Sequence, residues 1–532
     1  MQGAMQAPIA TTAGDVLVGS DAPLQLDDVV RVARLRTGVR IADTAFARIR
    51  AARALVEELT ASGRAIYGVT TGLGDLSHVR VSEADLLALQ ANLVESHATG
   101  VGEPLEDEVV RAIMLLLANS LAKGFSGVRL AVVELLVELL ERDLVPVIPS
   151  RGSVGASGDL APLAHLARTL CGSGEIRRDG ASVPSGRALG DANLRPLVLE
   201  PKEGLALVNG THLMAGAGAL LVHDALRLAR AAELVSILSA DVLLASVAPM
   251  DPRIHELRRR ARQSEVAARV RAAVGSSQLL ASHADCARVQ DAYTVRCIPQ
   301  VLGAVLEALD YVSAAIVTEL DAVTDNPLCF PEDGDVVSGG NFHGQPLALP
   351  LDHLAVLLTE LAAFSERRTY RLLSDRGEDA LPPFLATQPG TSSGLMLLQY
   401  TAAALVAESQ VLSHPAGTAS LPTSAGQEDF NSMGATAALK ARQVLANAQR
   451  VVAIEALCAA RALELRRPLR SSAVLEELHR RIRGVSPPLT ADRSLAADIE
   501  AVSAAIAAGV LDDVHAALCG ETGTGGSDGA GR

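Results

Sequence analysis

Residues 152–166 read GSVGASGDLAPLAHL and include three adjacent residues whose backbone can react with itself. The amide nitrogen of Gly158 can attack the carbonyl carbon of Ala156, because a glycine has no Cβ to block the approach. Loss of two waters, one of them carrying the Ser157 hydroxyl oxygen, then leaves a five-membered ring with an exocyclic methylidene, a strong electrophile. Taken by itself, however, the segment more simply predicts a glycine-rich loop that enters a helix at Asp159.

Two polar side chains stand in segments that are otherwise small or apolar. Tyr67 lies in the glycine-rich stretch 65–76, and on such a loop its hydroxyl can approach a substrate closely and act as a base. Asn209 lies among apolar residues in GLALVNGTH, where its amide could hold a substrate carboxylate. The alternatives are a tyrosine that packs at the root of a loop and a core asparagine whose hydrogen bonds are satisfied.

A third cluster combines an amide, a phenol and a guanidinium. Gln290, Tyr293 and Arg296 are spaced i, i+3, i+6, so they would share one face of a helix. Arg296 can bind a carboxylate in a bidentate fork, and Tyr293 can donate to a developing anion. The alternative is an interhelical ion pair beside a core tyrosine.

Further candidates lie in two loops and at a helix end. Residues 423–434, TSAGQEDFNSMG, place Glu428 in a loop that could also be a solvated turn. Phe342 stands in SGGNFHG, which lacks the Gly-Lys-Ser/Thr ending of a phosphate-binding loop, so an aromatic contact to a substrate is the better interpretation. Ser96 and His97 end a predicted helix, where a lone histidine is usually a partner of the helix dipole.

The overall composition limits the function classes. The 532 residues carry a formal net charge of −14, so no basic excess is available for nucleic acid or an anionic membrane. None of the six cysteines forms a CxxC pair, so we expect no metal site and the reduced thiols of a cytoplasmic protein. We predict no signal peptide, and we expect the least polar stretch, 204–222, to be a buried helix rather than a membrane span.

The candidate residues must be positioned mainly by helices. Hydrophobic residues make up 49% of the chain but aromatic residues only 2%, so Ala, Leu and Val dominate, and these suit close helix packing. We therefore predict an all-α fold with an N-terminal domain that bears residues 152–166 and a long central helical bundle. The periodic apolar stretches that support it are 203–248, 300–323, 350–373, 395–412 and 434–465.

The pattern also predicts boundaries and short elements. We expect an N-terminal domain over 1–200, the bundle over 201–470, C-terminal helices over 471–519 and a disordered Gly/Ser-rich tail over 520–532. The short elements that we expect are a strand at 16–18, a helix capped by Asp27 or Asp28, a helix over 44–60 and a hairpin over 175–183.

Nine segments, in the same order along the chain, resemble the aromatic amino acid ammonia-lyases. They are YGVTTGLG, NLVESHATGVGEPL, GSVGASGDLAPLAH, KEGLALVNGTH, VQDAYTVRCIPQV, TDNPLCF, SGGNFHGQP, SERR and LPTSAGQEDFNSMG. One such segment would be weak, whereas nine in order are highly specific. The resemblance implies a fumarase/aspartase-like all-α fold and a D2-symmetric homotetramer whose active sites are each built from three subunits.

The resemblance also implies roles for the candidate residues. Ala156, Ser157 and Gly158 would form the methylidene-imidazolone group (MIO), with Asp159 assisting ring closure, and no dissociable cofactor is implied. Tyr67 becomes a candidate catalytic base. The residues implied around the substrate carboxylate and the MIO group are Asn209 and Arg296, and the implied pocket residues are Gln290, Tyr293 and Phe342.

Two positions indicate the substrate. Ser96-His97 is similar to the pair in histidine ammonia-lyases, and Glu428 resembles their acidic residue, where phenylalanine and tyrosine enzymes usually have Asn-Gln-Asp. Both can hydrogen-bond an imidazole. We therefore expect the deamination of L-histidine to trans-urocanate and ammonia.

Other positions depart from the histidine-lyase pattern and keep alternatives open. Thr70 stands where Asn is common and resembles some tyrosine aminomutases, while Leu73 stands where Phe is common. Asp321 replaces a common Asn, and Phe430 stands where His is usual. The alternatives are a phenylalanine or tyrosine ammonia-lyase, a tyrosine 2,3-aminomutase, and a non-catalytic helical scaffold.

Overall fold

The computed structural model describes residues 14–72, 74–178, 180–284, 289–376, 379–388 and 390–523. The chain forms two compact units, each assembled from separated segments. The first unit draws on Met1–His223, Val312–His353 and Pro415–Leu439, and the second on Asp224–Tyr311, Leu354–His414 and Lys440–Arg532. The linear domains expected over 1–200, 201–470 and 471–519 divide the chain differently and stay a prediction.

The first unit combines helices with short strand pairs. Its helices are Leu26–Arg34, Asp43–Ala61, Leu86–His97, Asp107–Ala122, Leu130–Glu141, Ala161–Leu170, Ser185–Asp191 and Glu203–Val208. Its strands are Val16–Val18, Val39–Ile41, Val101–Pro104, Val145–Pro146, Pro149–Arg151, Glu175–Arg178, Ala181–Pro184, Leu328–Phe330 and Asp335–Val337. The first two strands pair in parallel, and the others form antiparallel ladders of two or three strands.

The second unit is helical in its described residues. Its helices are Pro252–Arg258, Ala261–Val274, Gln278–Ala281, Tyr293–Arg296, Met396–Leu412, Ala473–Val485, Ala496–Ala507 and Asp512–Gly523. Four longer helices contribute residues to both units: His212–Val242, Ile298–Glu319, Gln345–Leu373 and Gly434–Leu465.

Helix Asp107–Ala122 forms the centre of the first unit. From Val109 to Ala122 every residue is buried, because the helix packs between Leu26–Arg34 and Leu130–Glu141. Arg111 is buried with them, and its guanidinium donates to the carbonyls of Val32 (3.0 Å) and Leu140 (3.1 Å). A charged group inside an apolar core needs such partners, so these bonds allow the helix to be buried all round.

A buried polar network holds the second unit together. Arg368 makes a bidentate pair with Glu455 (2.6 and 2.8 Å), and both side chains are fully buried. The same carboxylate accepts hydrogen bonds from Ser239 (2.7 Å) and Ser365 (2.6 Å). The segment SERR therefore includes two of the partners of Glu455, which fix helices Gln345–Leu373 and Gly434–Leu465 in register.

Most of the predicted elements are confirmed. The expected strand, hairpin and long helices lie at Val16–Val18, at Glu175–Arg178 with Ala181–Pro184, and at Asp43–Ala61, Met396–Leu412 and Gly434–Leu465. The predicted tail begins within helix Asp512–Gly523, and residues 524–532 lie outside the described residues.

Two expectations about helix ends are wrong. Asp27 and Asp28 lie within the first turn of helix Leu26–Arg34 and Gln25 occupies the N-cap, although Asp28 still contributes to the capping box by accepting from the Gln25 amide (3.0 Å). The stretch 203–248 is not continuous, because the chain leaves the helix between Val208 and His212, where Gly210 adopts a φ of 111°. This break turns out to build part of the site.

Two helices meet the length and hydropathy of a membrane span, namely Ile298–Glu319 and Gln345–Leu373, as does the bent pair Ala496–Ala507 with Asp512–Gly520. In Gln345–Leu373, 67% of the apolar window is buried within the protein. In Ile298–Glu319 the buried share is 33%, and most of the other residues of this helix are partly exposed.

Candidate active site

The loop between strand Pro149–Arg151 and helix Ala161–Leu170 has an unusual backbone. Ser157 and Gly158 both adopt positive φ angles, 50° and 84°, and Leu160 does so at 34° just before the helix. A Cβ on Gly158 would lie 2.0 Å from the carbonyl oxygen of Gly210. Only glycine fits at this position, and the expected loop is confirmed, with its helix beginning at Ala161 rather than Asp159.

The break at Gly210 clamps this loop. The amide of Gly210 donates to the Ser157 carbonyl (3.1 Å), and the amide of Asp159 donates to the Gly210 carbonyl (2.8 Å). The two segments thus pair like adjacent strands over a single residue. A continuous helix over 203–248 would have no free backbone groups to offer, so the interruption is what holds Ser157 and Gly158 in place.

Asp159 is a fully buried carboxyl group beside the tripeptide. Its Oδ2 accepts from the amides of Leu213 (2.7 Å) and Met214 (3.4 Å) at the start of helix His212–Val242, whereas its Oδ1 has no partner among the described residues. Burial raises the pKa of Asp159 to about 7, although the two amides oppose the shift. A carboxyl group with this pKa can accept or release a proton near neutral pH.

A cavity of about 380 Å³ opens onto the loop. All of its lining residues belong to the first unit. The sequence-predicted residues among them are Tyr67, Ala156, Ser157, Asn209, Phe342 and Glu428. Five segments that are distant in sequence therefore meet within one chain.

A larger cavity of about 540 Å³ lies elsewhere in the first unit, around Arg36, Asp143 and Arg177. Its lining includes none of the sequence-predicted site residues. Its charged groups largely pair with one another, as Arg36 does with Asp143 at 2.9 Å. Size alone therefore does not identify the site.

Tyr67 is oriented by its own loop. The amide of Gly74 donates to the Tyr67 hydroxyl oxygen (3.0 Å), and the Gly68 carbonyl accepts from the side chain of buried Gln90 (3.1 Å). These bonds hold the Tyr67 hydroxyl and the backbone of the residue that follows it. Leu73 lies outside the described residues, and the Thr70 hydroxyl donates to the carbonyl of Arg64 (2.7 Å).

Asn209 is buried at the floor of the cavity. Its side-chain nitrogen donates to Asp325 Oδ1 (3.2 Å) and to the Asn326 carbonyl (2.8 Å), so both amide hydrogens have acceptors within the chain. Asp325 is in turn paired with buried Lys202 at 2.5 Å. These partners leave the carbonyl oxygen of Asn209, an acceptor, as the atom better able to contact a ligand.

Glu428 is half-buried and held in one orientation. Its Oε2 accepts from the Thr423 hydroxyl (2.7 Å), and the two residues also form a backbone bridge. Asn431 supports the same turn by donating to the Leu421 carbonyl (2.6 Å) and to Thr423 (3.2 Å). The segment expected as a possible solvated turn is thus a braced loop that presents a carboxylate to the cavity.

An aromatic wall also lines the cavity. The rings of His343 and Phe430 stack at 6.1 Å between centroids with an interplanar angle of 14°, and His343 Nε2 lies 3.0 Å from the Phe430 carbonyl. Phe342 is adjacent. Sequence reasoning did not single out His343 or Asn326, although both stand inside matched segments, SGGNFHGQP and TDNPLCF, and that was the available signal.

Ser96 and His97 end helix Leu86–His97 as expected, and they are not among the lining residues. Ser96 Oγ lies 3.1 Å from His97 Nδ1. Burial lowers the pKa of His97, while the Leu93 carbonyl and the charge of Glu428 act in the opposite direction. His97 is therefore close enough to Glu428 for the two groups to interact electrostatically.

The third predicted cluster is not brought to this cavity. Gln290, Tyr293 and Arg296 lie in the second unit, where the Tyr293 side chain is 71% exposed and the Arg296 guanidinium lies 4.7 Å from the centroid of its ring. The expectation that all three share a helix face is wrong, because the helix comprises only Tyr293–Arg296 and Gln290 precedes it.

A family model for the aromatic amino acid lyases matches residues 24–484. A histidine ammonia-lyase of Anaeromyxobacter dehalogenans (strain 2CP-C) is 51% identical over 498 residues, which is 92% of this chain and 98% of that protein. A histidine ammonia-lyase of Koribacter versatilis (strain Ellin345) is 48% identical over 500 residues, which is 92% of this chain and 97% of that protein.

Two solved structures support the fold. A tyrosine aminomutase from Streptomyces globisporus is similar with a TM-score of 0.89 at 36% identity, covering 95% of this chain and 99% of that chain. A histidine ammonia-lyase from Trypanosoma cruzi has a TM-score of 0.87 at 38% identity, covering 95% and 96%. The expected all-α, fumarase/aspartase-like fold is confirmed. With a family model that spans most of its length and relatives that match almost end to end, the chain belongs to the aromatic amino acid lyase family and is a carbon–nitrogen lyase.

Proposed function

We propose that the chain deaminates L-histidine to trans-urocanate and ammonia. The observation that carries the proposal is that the Glu428 carboxylate and the tripeptide residues Ala156 and Ser157 line the same cavity. An imidazole can donate to this carboxylate, whereas a phenyl ring offers no donor and would displace water from the carboxylate without replacing its hydrogen bonds, which is unfavourable. The relatives named histidine ammonia-lyase, 48% and 51% identical, support the same substrate.

The tripeptide fits the formation of an MIO group. Gly158 has no Cβ that could block its amide nitrogen, and Gly210 fills the space that a Cβ would need. Ser157 and Gly158 also adopt the positive φ angles of a tight turn. Asp159 lies next in the chain, with a carboxyl group able to carry a proton near neutral pH. When formed, the group supplies an electrophile that makes the substrate amine a better leaving group.

The remaining steps fall to side chains of the cavity. The β-hydrogens of an amino acid are barely acidic, and a positioned base alone accelerates their removal only about 10²–10⁴-fold, which is why the electrophile is also needed. Tyr67, held by the Gly74 amide, is the base in our proposal. Asn209 contributes its carbonyl oxygen to the surroundings of the MIO group, and Phe342 packs against the substrate.

In our proposal, two groups of residues recognise the imidazole side chain of the substrate. Glu428, braced by Thr423, accepts from one imidazole nitrogen. Ser96 and His97 lie at the end of a helix, where they can contact the other nitrogen of a substrate that fills the cavity from Glu428 outward. The Coulombic influence of Glu428 on His97 supports this proximity.

We further propose a homotetramer in which Gln290, Tyr293 and Arg296 come from another copy of the chain. Tyr293 would donate to the developing anion, and Arg296 would hold the substrate carboxylate. Two observations support this. Tyr293 is 71% exposed in one chain. On the apolar helix Ile298–Glu319, Tyr311 is 56% exposed, and exposed aromatic residues are enriched at protein interfaces.

Product analysis tests the substrate assignment. The purified protein is incubated separately with L-histidine, L-phenylalanine and L-tyrosine, and the products are followed by ultraviolet absorbance and chromatography. We expect the band of urocanate from L-histidine and much weaker turnover of the other two. Cinnamate or coumarate as the main product, with no urocanate, would reject the assignment.

A tyrosine aminomutase is the second candidate, because the aromatic pair of Phe430 and His343 lines the cavity and one solved relative, with a TM-score of 0.89, is a tyrosine aminomutase. The same incubations separate the two, because a mutase yields a β-amino acid from L-tyrosine. Glu428→Gln adds a further distinction, since it should weaken L-histidine turnover much more than any turnover of L-tyrosine.

A further inference from the structure

Four side chains of the second unit form a continuous polar chain that the proposed reaction does not use. Cys519 Sγ lies 3.8 Å from His515 Nδ1, and His515 Nε2 lies 3.3 Å from Glu233 Oε2. Glu233 is held by a bidentate pair with Arg269, at 2.6 and 3.0 Å. A thiol, an imidazole and a carboxylate in this order are the arrangement by which a histidine activates a cysteine.

The buried residues Glu233 and Arg269 hold His515 in place, and His515 in turn lies beside Cys519. Glu233 and Arg269 are 2% and 6% exposed, and His515 is 8% exposed, so the carboxylate cannot swing away from the imidazole. Helix Asp512–Gly523 places His515 and Cys519 one turn apart on one face. Cys519 is only partly buried, so a small reagent can reach its sulfur.

The charges around the thiol favour its ionised form. Burial opposes a charge on His515, but its contacts with Cys519 and Glu233 outweigh burial and raise the pKa of the imidazole. The contact with His515 lowers the pKa of Cys519 against the effect of burial, and the charge of Arg269 acts in the same direction while Glu233 opposes it. The pair thus tends toward a thiolate beside an imidazolium.

Two other described thiols, Cys171 and Cys329, lack this environment. Cys171 is also partly buried, but burial, Glu95 and Glu203 raise its pKa to about 11. Burial raises the pKa of Cys329 to about 11 as well. Cys171 is therefore a matched control, similar in accessibility and opposite in its charged neighbours.

We propose that Cys519 is a modification site that exchanges with low-molecular-weight disulfides and is activated by His515, which Glu233 and Arg269 hold in place. The Cys519 thiolate attacks one sulfur of the disulfide. A new S–S bond joins Cys519 to that half, the original S–S bond breaks, and the other half leaves as a thiolate. That thiolate takes up the proton held by His515, so a thiol and a disulfide give a mixed disulfide and a thiol with no other oxidant.

The test uses the full-length protein, reduced, freed of reductant and incubated with glutathione disulfide at neutral pH. Peptide mass spectrometry follows the mixed disulfide at each cysteine with time. We expect Cys519 to react at least about tenfold faster than Cys171, since the thiolate is the reactive form. His515→Gln should slow Cys519 about tenfold without changing Cys171, and Cys519→Ser should remove the fast adduct.

Equal rates at Cys519 and Cys171, or an unchanged rate at Cys519 in folded His515→Gln, would overturn the proposal. Because His515 is buried and its substitution also removes packing, a second measurement uses the wild type alone. Alkylation by iodoacetamide is compared in buffer and in strong denaturant. The preference for Cys519 over Cys171 should vanish on unfolding, and a preference that persists in denaturant would show that local sequence, not the folded cluster, is its cause.

Discussion

At the residue scale, the reactive loop depends on atoms that lie far away in sequence. The sequence predicts which three residues can cyclise, because the chemistry needs glycine, a β-hydroxyl and a small residue in that order. It does not predict the burial of Asp159 or the contact with Gly210, because both depend on where the chain breaks its helix some fifty residues later. A local sequence pattern shows which residue types are present, whereas the pKa of Asp159 depends on the groups that surround it in the fold.

Gly158→Ala should abolish deamination. The added Cβ would lie 2.0 Å from the Gly210 carbonyl, at a φ of 84°, so the loop must move away from the geometry needed for cyclisation. We expect kcat to fall by at least about 10³-fold, the loss typical of removing an essential catalytic group. Gly63→Ala is the matched control, because Gly63 has a φ of 70° and nothing within 4 Å of a new Cβ. Equal activity of the two variants would contradict the account.

Asp159 should make stability depend on pH in an identifiable direction. Its pKa is raised from 3.8 to about 7, so between these values the folded chain holds a proton that the unfolded chain has lost. The stabilising contribution of the neutral carboxyl is thus complete below about pH 4 and is lost as the pH rises through about 7. We expect the Tm of the wild type to fall relative to that of Asp159→Asn between about pH 5 and about pH 8. A difference in Tm that does not change with pH would show that the carboxyl is not perturbed.

At the element scale, periodicity located the long helices but not their interruptions. Helix Gly434–Leu465 has the predicted bounds, because a glycine opens it and apolar residues recur along it. The periodic apolar pattern runs through 203–248 without a visible gap, because Asn209-Gly210-Thr211 is too short a polar insertion to disturb it, yet the structure breaks the helix there. The prediction that Gln290 lies on a helix face is wrong because it assumes too long a helix: Tyr293–Arg296 is only one turn long and begins after Gln290.

Adjacent arginines in helix Gln345–Leu373 should differ sharply in their effect on stability. Arg368→Met would leave Glu455 buried without its cation, and breaking such a pair costs about 3–5 kcal/mol. Arg367→Met removes an arginine whose side chain is 53% exposed, and its partner Glu366, although buried, keeps a hydrogen bond from Gln399 (2.6 Å), so we expect a smaller loss of stability. Thermal unfolding of the two variants measures the difference, and a similar Tm for both would contradict the role assigned to the Glu455 network.

At the scale of the whole molecule, the cavity of one chain is lined by only some of the predicted site residues. Tyr67, Asn209 and Glu428 line the cavity with the tripeptide, whereas Tyr293 is 71% exposed and neither Tyr293 nor Arg296 is among the lining residues. The sequence could indicate that these residues serve one reaction, because their segments resemble one family in order. A periodic pattern does not encode the symmetry of an assembly, so the sharing of sites between copies stays a proposal.

Mixing two inactive variants tests whether sites are shared. Ser157→Ala and Tyr293→Phe should each be nearly inactive as pure proteins. Co-expressed in equal amounts, they should regain about a quarter of wild-type activity if Ser157 and Tyr293 of one site come from different subunits, since about a quarter of such sites receive both native residues by chance. Mixed tetramers that stay inactive would mean that each chain supplies both residues of its own site.

In the proposed mechanism, deamination depends on cyclisation of Ala156, Ser157 and Gly158 to the electrophile. Mass spectrometry of the peptide that contains residues 152–166, measured alongside activity on L-histidine, is the decisive experiment. We expect the peptide from active wild-type protein to be lighter than its sequence by two water molecules, and Ser157→Ala to keep its fold, show the full peptide mass and lose most activity. Deamination of L-histidine by a wild-type protein whose peptide has its full mass would exclude this mechanism.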